Sequence, residues 1–482
     1  MGRVSELLHK ALVPLAGRAV LSHLIELAPR SAKIVVCVGC RADQIREYVA
    51  LAHPQLNVTF VDVADWDQPH GGPGASLLAA KDVIDGDLIF TSCDTLWQQD
   101  QTLWQIDHSW AGVAPIPAGT PHARWCRVGL SWDGTIEGVY EKNSDGGDLA
   151  YIGLAQIKAV DQDLFWSGIE GAQLVDNETQ VSGGLVNVLS ARTLGAQHVR
   201  WTDVGDESSY RLAVARLSGY DWTKIDETTY VLPETGRVVK HWTDPNKAQH
   251  RAARGTMLGE AIAGPVWRTG SMIAYTYKPG ISGYEAVDRE GIDFTKRLLE
   301  WRHKYLMSAP TSGMDQPTDL GVKFYHDKTL DRIDMLRYDE TLWRSALDAV
   351  SRIDWDHLAQ HVEPAMIHGD LNYGNIVVTP EGHIVGIDWR ESFAGYAFGD
   401  ARYDLGKLLA GCYVHFDRAR NGDFRPWPEG DQHAALIRRD ASYSPDVEII
   451  GALALLNSAP LHAAPLDEVC VSRGCAWLEE VL

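Results

Sequence analysis

The sequence predicts two domains in series: an α/β domain built on a Rossmann-like sheet, followed by an α+β domain. Three observations carry this expectation. The chain has 482 residues, more than one hydrophobic core commonly serves. From Ala19 to about Tyr210, short apolar strands alternate with helical stretches. After about Gly219 the rhythm changes to short alternating strands followed by long helical patterns, so the expected domains are 1–219 and 220–482.

In the first half, Ser22 to Leu27 reads as a helix and Lys33 to Val38 as a continuous apolar strand. Ala42 to Leu51 follows as an amphipathic helix, Asn57 to Val63 as a strand and Gly74 to Val83 as a helix. Asp87 to Ser92 is a strand that runs into Cys93-Asp94-Thr95. Strands separated by helices imply a mostly parallel sheet covered on both faces. Ligands on such sheets bind at the carboxyl ends of the strands, where Asp94 stands. In the second half, Thr228 to Leu232 and Arg237 to Trp242 flank Pro233-Glu234-Thr235-Gly236, the pattern of a hairpin. Ala248 to Ala261 and Phe294 to Tyr305 read as helices, and Ile367 to Trp389 as a second hairpin-like stretch.

Composition narrows the function. Hydrophobic residues at 45% and charged residues at 23% exclude wholesale disorder. Lys+Arg 44 against Asp+Glu 65 leaves a net charge of −21, a field that repels phosphate backbones and anionic lipid. A nucleic-acid partner is not expected, and small anionic substrates need local cations or bound metal. No run approaches the roughly 18 apolar residues of a membrane span, and Ile449 to Leu456 reads as a buried helix. Met1 to Lys10 is polar with no apolar leader, so the expected location is cytoplasmic. The seven cysteines are scattered, and Cys37 and Cys40 form a C-x-x-C without a second pair to complete a zinc site. The oligomeric state is not legible.

The chemistry concentrates near the carboxyl end. His368-Gly369-Asp370 is followed by Asn375, and Asp388 stands after the apolar Ile384-Val-Gly-Ile387. Two strand-like runs about a turn bring Asp370, Asn375 and Asp388 near one point. Phosphoryl transfer needs a carboxylate to orient the attacking hydroxyl and take its proton, and oxygen ligands to hold magnesium on the nucleotide phosphates. The trio supplies both.

This segment resembles the aminoglycoside phosphotransferase and choline kinase superfamily, with its H-G-D-x-x-x-x-N and I-D-[FW] pattern. The resemblance implies a protein-kinase-like, two-lobed α+β fold, Asp370 as catalytic base, and Asn375 and Asp388 as magnesium ligands. It implies a brace for the catalytic loop in Gly399-Asp400-Ala-Arg-Tyr403-Asp404-Leu. Lys240 would contact ATP phosphates, with Glu260 the acidic residue offered by the helix after it, and Tyr275 to Pro279 would form the hinge that reads adenine.

The first half carries Lys10-Ala-Leu-Val-Pro-Leu-Ala-Gly17, Gly72-Pro73-Gly74-Ala-Ser76, Ser92-Cys-Asp94-Thr, Tyr140-Glu141-Lys142, Ile152-Gly153 and Trp201-Thr-Asp203-Val-Gly205. In this order they resemble the GT-A-like sugar-1-phosphate nucleotidyltransferases and their phosphocholine cytidylyltransferase relatives. The implied reaction is attack of a substrate phosphate on the α-phosphorus of a nucleoside triphosphate. Asp94 and Asp203 would hold the metal, Lys10 would face the triphosphate and Lys142 the acceptor phosphate. Gly72 and Gly74 would lie close to the base or ribose. Arg3 matches the end of the family's glycine-rich loop, so the first strand and most of that loop are expected to be missing.

Together the resemblances imply a bifunctional enzyme. One half phosphorylates a small alcohol with ATP and the other couples the phosphate to a nucleotide, with CTP the favoured donor. The motif order, including Phe324-Tyr325-His-Asp-Lys328-Thr, looks like capsule-biosynthesis fusions of these families. Alternatives are a kinase with a degenerate nucleotide-binding first domain, or an antibiotic-modifying phosphotransferase.

Overall fold

The computed structural model describes residues 7–98, 101–217, 226–307 and 320–482. Two compact units divide the chain, Met1–Thr243 and Asp244–Leu482. The expected boundary between 219 and 220 lies outside the described residues.

The first unit begins its strand–helix alternation much as periodicity predicts. Ile34–Val38 pairs in parallel with Val58–Asp62, and the crossover helix Ala42–Ala52 buries Ile45, Tyr48, Val49 and Ala52 at helical spacing. The expected helix Gly74 to Val83 is Pro73–Ala79 followed by a short 3-10 turn, Lys81–Val83.

The mostly parallel sheet is corrected. The larger sheet has six strands: Gly195–His198, Trp110–Pro115, Leu149–Ile157, Arg127–Leu130 and Ile136–Tyr140 in order, with Leu88–Thr91 also on Leu149–Ile157. Among these, the pairing of Gly195–His198 with Trp110–Pro115 is parallel and the others are antiparallel. The reason is local. Arg127–Leu130 and Ile136–Tyr140 are joined by a tight turn through Asp133-Gly134, and such a turn can only reverse the chain. Helices Gln162–Glu170 and Ser182–Ala191 cover the sheet, burying Phe165, Trp166, Ile169, Leu185 and Val188 against Ala111, Val113, Ala155 and Ile157.

One further pairing matters for chemistry. Trp201–Asp203 runs antiparallel to Thr95–Trp97 with Asp203 opposite Thr95, which brings two distant aspartates together. The hairpin Glu227–Leu232 with Arg237–Trp242 forms as its pattern predicts, turning through Pro233–Thr235 and Gly236.

In the second unit, helix Pro245–Leu258 starts at Asp244, whose carboxylate accepts from Asn246 N. Glu260 falls beyond it, in the 3-10 turn Gly259–Ala261. Two hairpins follow, Val266–Thr269 with Met272–Thr276 and Ile376–Val378 with Ile384–Gly386. The expected Phe294 to Tyr305 helix is Ile292–Arg302, continued by one wider turn. Helices Ala401–Tyr413, Asp446–Ser458 and Leu466–Val481 form the core, with Trp477 stacked on Tyr413 at 3.9 Å. The apolar run 449–456 lies within Asp446–Ser458, buried from Ile450 to Leu456. Among the described residues, no helix is long and apolar enough to cross a membrane.

Candidate functional site

His368-Gly369-Asp370 lies in a loop with no regular hydrogen-bond ladder, so its backbone must be held by side chains. Asp404, fully buried on helix Ala401–Tyr413, does this with both oxygens, accepting from His368 N at 2.7 Å and Gly369 N at 2.8 Å. Arg254 clasps the same region, donating to the carbonyls of Ile367, Arg390 and Ala397. Gly369 has φ +83°, and a Cβ there would sit 2.4 Å from the Phe393 ring, so glycine is required for this turn.

The loop presents Asp370 between two donors. Lys407 Nζ is 2.8 Å from Oδ1, and Asn375 Nδ2 donates to Oδ2 at 2.9 Å. Burial alone would raise the Asp370 pKa, but the Lys407 ammonium outweighs it and holds the carboxyl well below the usual range. Asn375 Nδ2 also donates to the Asp370 carbonyl. With its amide nitrogen engaged on that side, Asn375 keeps Oδ1 as an oxygen donor. Ile387 N donates to Asn375 O at 2.9 Å, which sets Asp388 beside Asn375 at the end of the hairpin. Asp388 takes a left-handed φ of +56°, a conformation aspartate tolerates better than most residues. Its carboxylate meets Arg251 at 2.6 Å, and Arg251 also reaches Glu391 at 3.2 Å. A carboxylate and an amide oxygen are hard donors, of the kind that a divalent cation of the magnesium class takes.

The first unit gathers a second set. Lys10 Nζ is 2.9 Å from Asp94 Oδ2. Val204 N donates to Asp94 O at 2.9 Å, and Gly205 N to Asp203 Oδ1 at 2.9 Å. A Cβ on Gly205 would lie 3.1 Å from Asp203 Oδ1 and 3.4 Å from Asp94 Oδ2. Both carboxylates therefore converge on one small residue.

Other sequence-predicted positions stand apart. Lys142 follows strand Ile136–Tyr140, and among the described residues its side chain makes no hydrogen bond or ion pair with Asp94 or Asp203. Gly72, at φ +103°, caps helix Pro73–Ala79, and Gly74 N donates to Thr179 O. Arg3 lies outside the described residues. Lys240 is buried and pairs with Glu227 at 2.6 Å, a carboxylate that Trp242 Nε1 also contacts at 3.0 Å. Its partner is thus the neighbouring strand's Glu227, a residue sequence reasoning missed. Tyr275 is buried with its ring 5.3 Å from that of Trp389.

The comparisons with known proteins divide the chain in the same order as the two sets. Residues 236–444 match the phosphotransferase enzyme family and residues 1–122 match the MobA-like NTP transferase domain. The chain joins an NTP-transferase domain to a phosphotransferase domain. Both are enzymatic, one for nucleotidyl transfer and one for phosphotransfer, and such families use nucleoside triphosphates, typically with divalent metal. Among solved structures, a putative glucose-1-phosphate thymidylyltransferase from Bacillus anthracis is similar at 14% identity and TM-score 0.37, covering 47% of this chain and 93% of its own. A UTP-bound UGPase from Acinetobacter baumannii is similar at 15% identity and TM-score 0.36, covering 44% and 86%. HddC from Yersinia pseudotuberculosis is similar at 15% identity and TM-score 0.33, covering 44% and 90%. No curated protein matches the sequence.

Proposed function

We propose that the phosphotransferase domain phosphorylates a small alcohol, drawn from the amino alcohols, polyols and sugars, with ATP and magnesium. The NTP-transferase domain then joins that phosphate to a nucleotidyl group, CTP being the favoured donor. The product is an activated precursor for capsule or another surface polysaccharide, made in the cytoplasm. Adjacency favours this order, because the product of one domain is the acceptor of the other.

The observation that carries the proposal is Asp370, held between Lys407 and Asn375 beside Asp388. Asp370 orients the attacking hydroxyl and receives its proton as the phosphoryl group leaves ATP. A carboxylate held strongly ionised by Lys407 is a weak base, which suits orientation in a loose phosphoryl-transfer transition state. Asn375 Oδ1 and Asp388 would hold the divalent ion, which when bound neutralises charge on the phosphates. Lys240 would contact the phosphates and the backbone after Tyr275 would read adenine. In the other domain, Asp94 and Asp203 would hold metal and Lys10 would face the triphosphate. Lys142 would meet the acceptor phosphate, with Gly72, Gly74 and Arg3 around the nucleotide.

The test is ADP release from ATP and magnesium with a panel of alcohols, followed by pyrophosphate release from CTP on adding the phosphorylated product. Folded protein that releases no ADP with any alcohol overturns the phosphotransfer reading. ADP release without pyrophosphate release from any NTP leaves a kinase alone.

A further inference from the structure

We infer that the phosphotransferase domain takes an acceptor alcohol that carries an anionic group, a phosphate or carboxylate, seated by Lys328, Arg390 and Lys407 beside Asp370. This rests on the reading of Asp370 as the group that receives the acceptor's proton.

Three cations from three elements meet around that one aspartate. Lys407, on helix Ala401–Tyr413, touches its carboxylate at 2.8 Å. Arg390 donates from Nε to the Gly369 carbonyl at 3.2 Å, one residue before Asp370, and its guanidinium lies 5.4 Å from the centre of the Phe324 ring. Lys328 opens helix Lys328–Asp334, and its ammonium sits over the same ring at 4.3 Å, within 3.3 Å of the Tyr403 hydroxyl. Phe324 is buried and thus fixes Lys328 and Arg390 on one spot.

The charge is not balanced locally. Among the described residues, neither Lys328 nor Arg390 has a carboxylate oxygen within 4.0 Å, and Lys407 has only Asp370. A ring face attracts a cation but does not cancel its charge. Lys407 touches the proton-accepting carboxylate itself and Arg390 the residue before it, so the excess lies by Asp370. An amino alcohol or an aminoglycoside would bring a fourth cation to this place. An anionic alcohol would receive charge-assisted hydrogen bonds there.

The experiment compares acceptors that differ in charge at constant carbon skeleton: glucose 6-phosphate, glucuronate, glucose and glucosamine, and glycerol 3-phosphate, glycerate, glycerol and 3-amino-1,2-propanediol. Direct binding to the full chain is measured by calorimetry, and ADP release with ATP and magnesium is measured separately. The expected result is tightest binding by an anionic member, with the amine weakest. The phosphate and carboxylate arms show which anion is preferred. Lys328→Gln should narrow the anionic-to-neutral binding ratio by about tenfold, and Lys328→Arg should keep it. Thermal melting of each variant confirms folding, and Arg390→Gln gives a second reading should Lys328→Gln fail to fold.

An amine bound best, or no dependence on charge in either series, including no binding at all, overturns the inference. So does a Lys328→Gln variant that weakens ATP while leaving charge preference among acceptors unaltered, since the cations would then serve the nucleotide. Anionic preference without ADP release from any acceptor leaves the charge reading standing and removes the phosphotransfer reading, so the two failures are distinguishable.

Discussion

The two carboxylate centres are assembled in opposite ways. In the phosphotransferase domain, Asp370, Asn375 and Asp388 lie in one stretch of chain, gathered by a loop and a single hairpin. In the NTP-transferase domain, Asp94 and Asp203 are distant in sequence and meet through the pairing of Thr95–Trp97 with Trp201–Asp203. A contiguous centre costs little chain entropy to gather, but its Asp370 loop has no ladder to stiffen it, so buried side chains must hold that loop. Asp404 and Arg254 do so. The split centre takes its rigidity from strands and carries its own counter-charge, Lys10 on Asp94.

The largest effect expected from this contrast is that of Asp370→Asn. Loss of the proton acceptor should cut ADP formation by about a thousandfold while pyrophosphate release from the other domain continues. Assaying both on one preparation sharpens the comparison, and loss of both together breaks it. Next comes Asp404→Ala. It strands two buried backbone N–H groups, at about 2–5 kcal/mol in total, so the phosphotransferase domain should melt earlier and lose activity. A variant that melts like the parent would mean the loop holds itself. Smaller again is Asp94→Asn, expected to lower pyrophosphate release by about a hundredfold with ADP formation intact. Unaltered pyrophosphate release would remove Asp94 from the metal-holding pair.

What could be read in advance follows the same division. The carboxyl-terminal trio was legible because its spacing is short and its residue types are those the chemistry needs. The residues that condition it were not. Arg251, Arg390 and Lys407 are ordinary basic positions in a linear sequence, Lys328 stands out only as part of Phe324-Tyr325-His-Asp-Lys328-Thr with no role attached, and only packing groups Lys328, Arg390 and Lys407 near Asp370. Lys407 left one usable signal: it stands three residues after Asp404 on the same helix, so the side chain that braces the loop and the one that pairs with Asp370 share a face. The parallel sheet failed for a related reason. Strand periodicity reports which residues are buried and is silent on strand direction, which the short turn at Asp133-Gly134 decides. Glu227 as the partner of Lys240 was hidden because a cross-strand pair depends on register.

The smallest expected effect tests the sheet-held domain by pH. His53 is buried at 2% exposure with Nε2 2.7 Å from Ser22 Oγ, itself 2.7 Å from the Tyr48 hydroxyl. Burial lowers its pKa from 6.5 to about 4. The unfolded chain therefore takes up a proton near 6.5 that the folded domain refuses until about 4, so stability is full above 6.5 and is lost as pH falls through that window. At pH 5 the loss from this group alone is about 2 kcal/mol. His9 and His241, also lowered to about 4, add their own share, so the measurement is a difference. His53→Gln should show a shallower loss of melting temperature between neutral pH and pH 5 than the parent. Equal slopes would mean that His53 takes up its proton while folded, and that the polar cluster with Ser22 and Tyr48 is open enough to hydrate a charge.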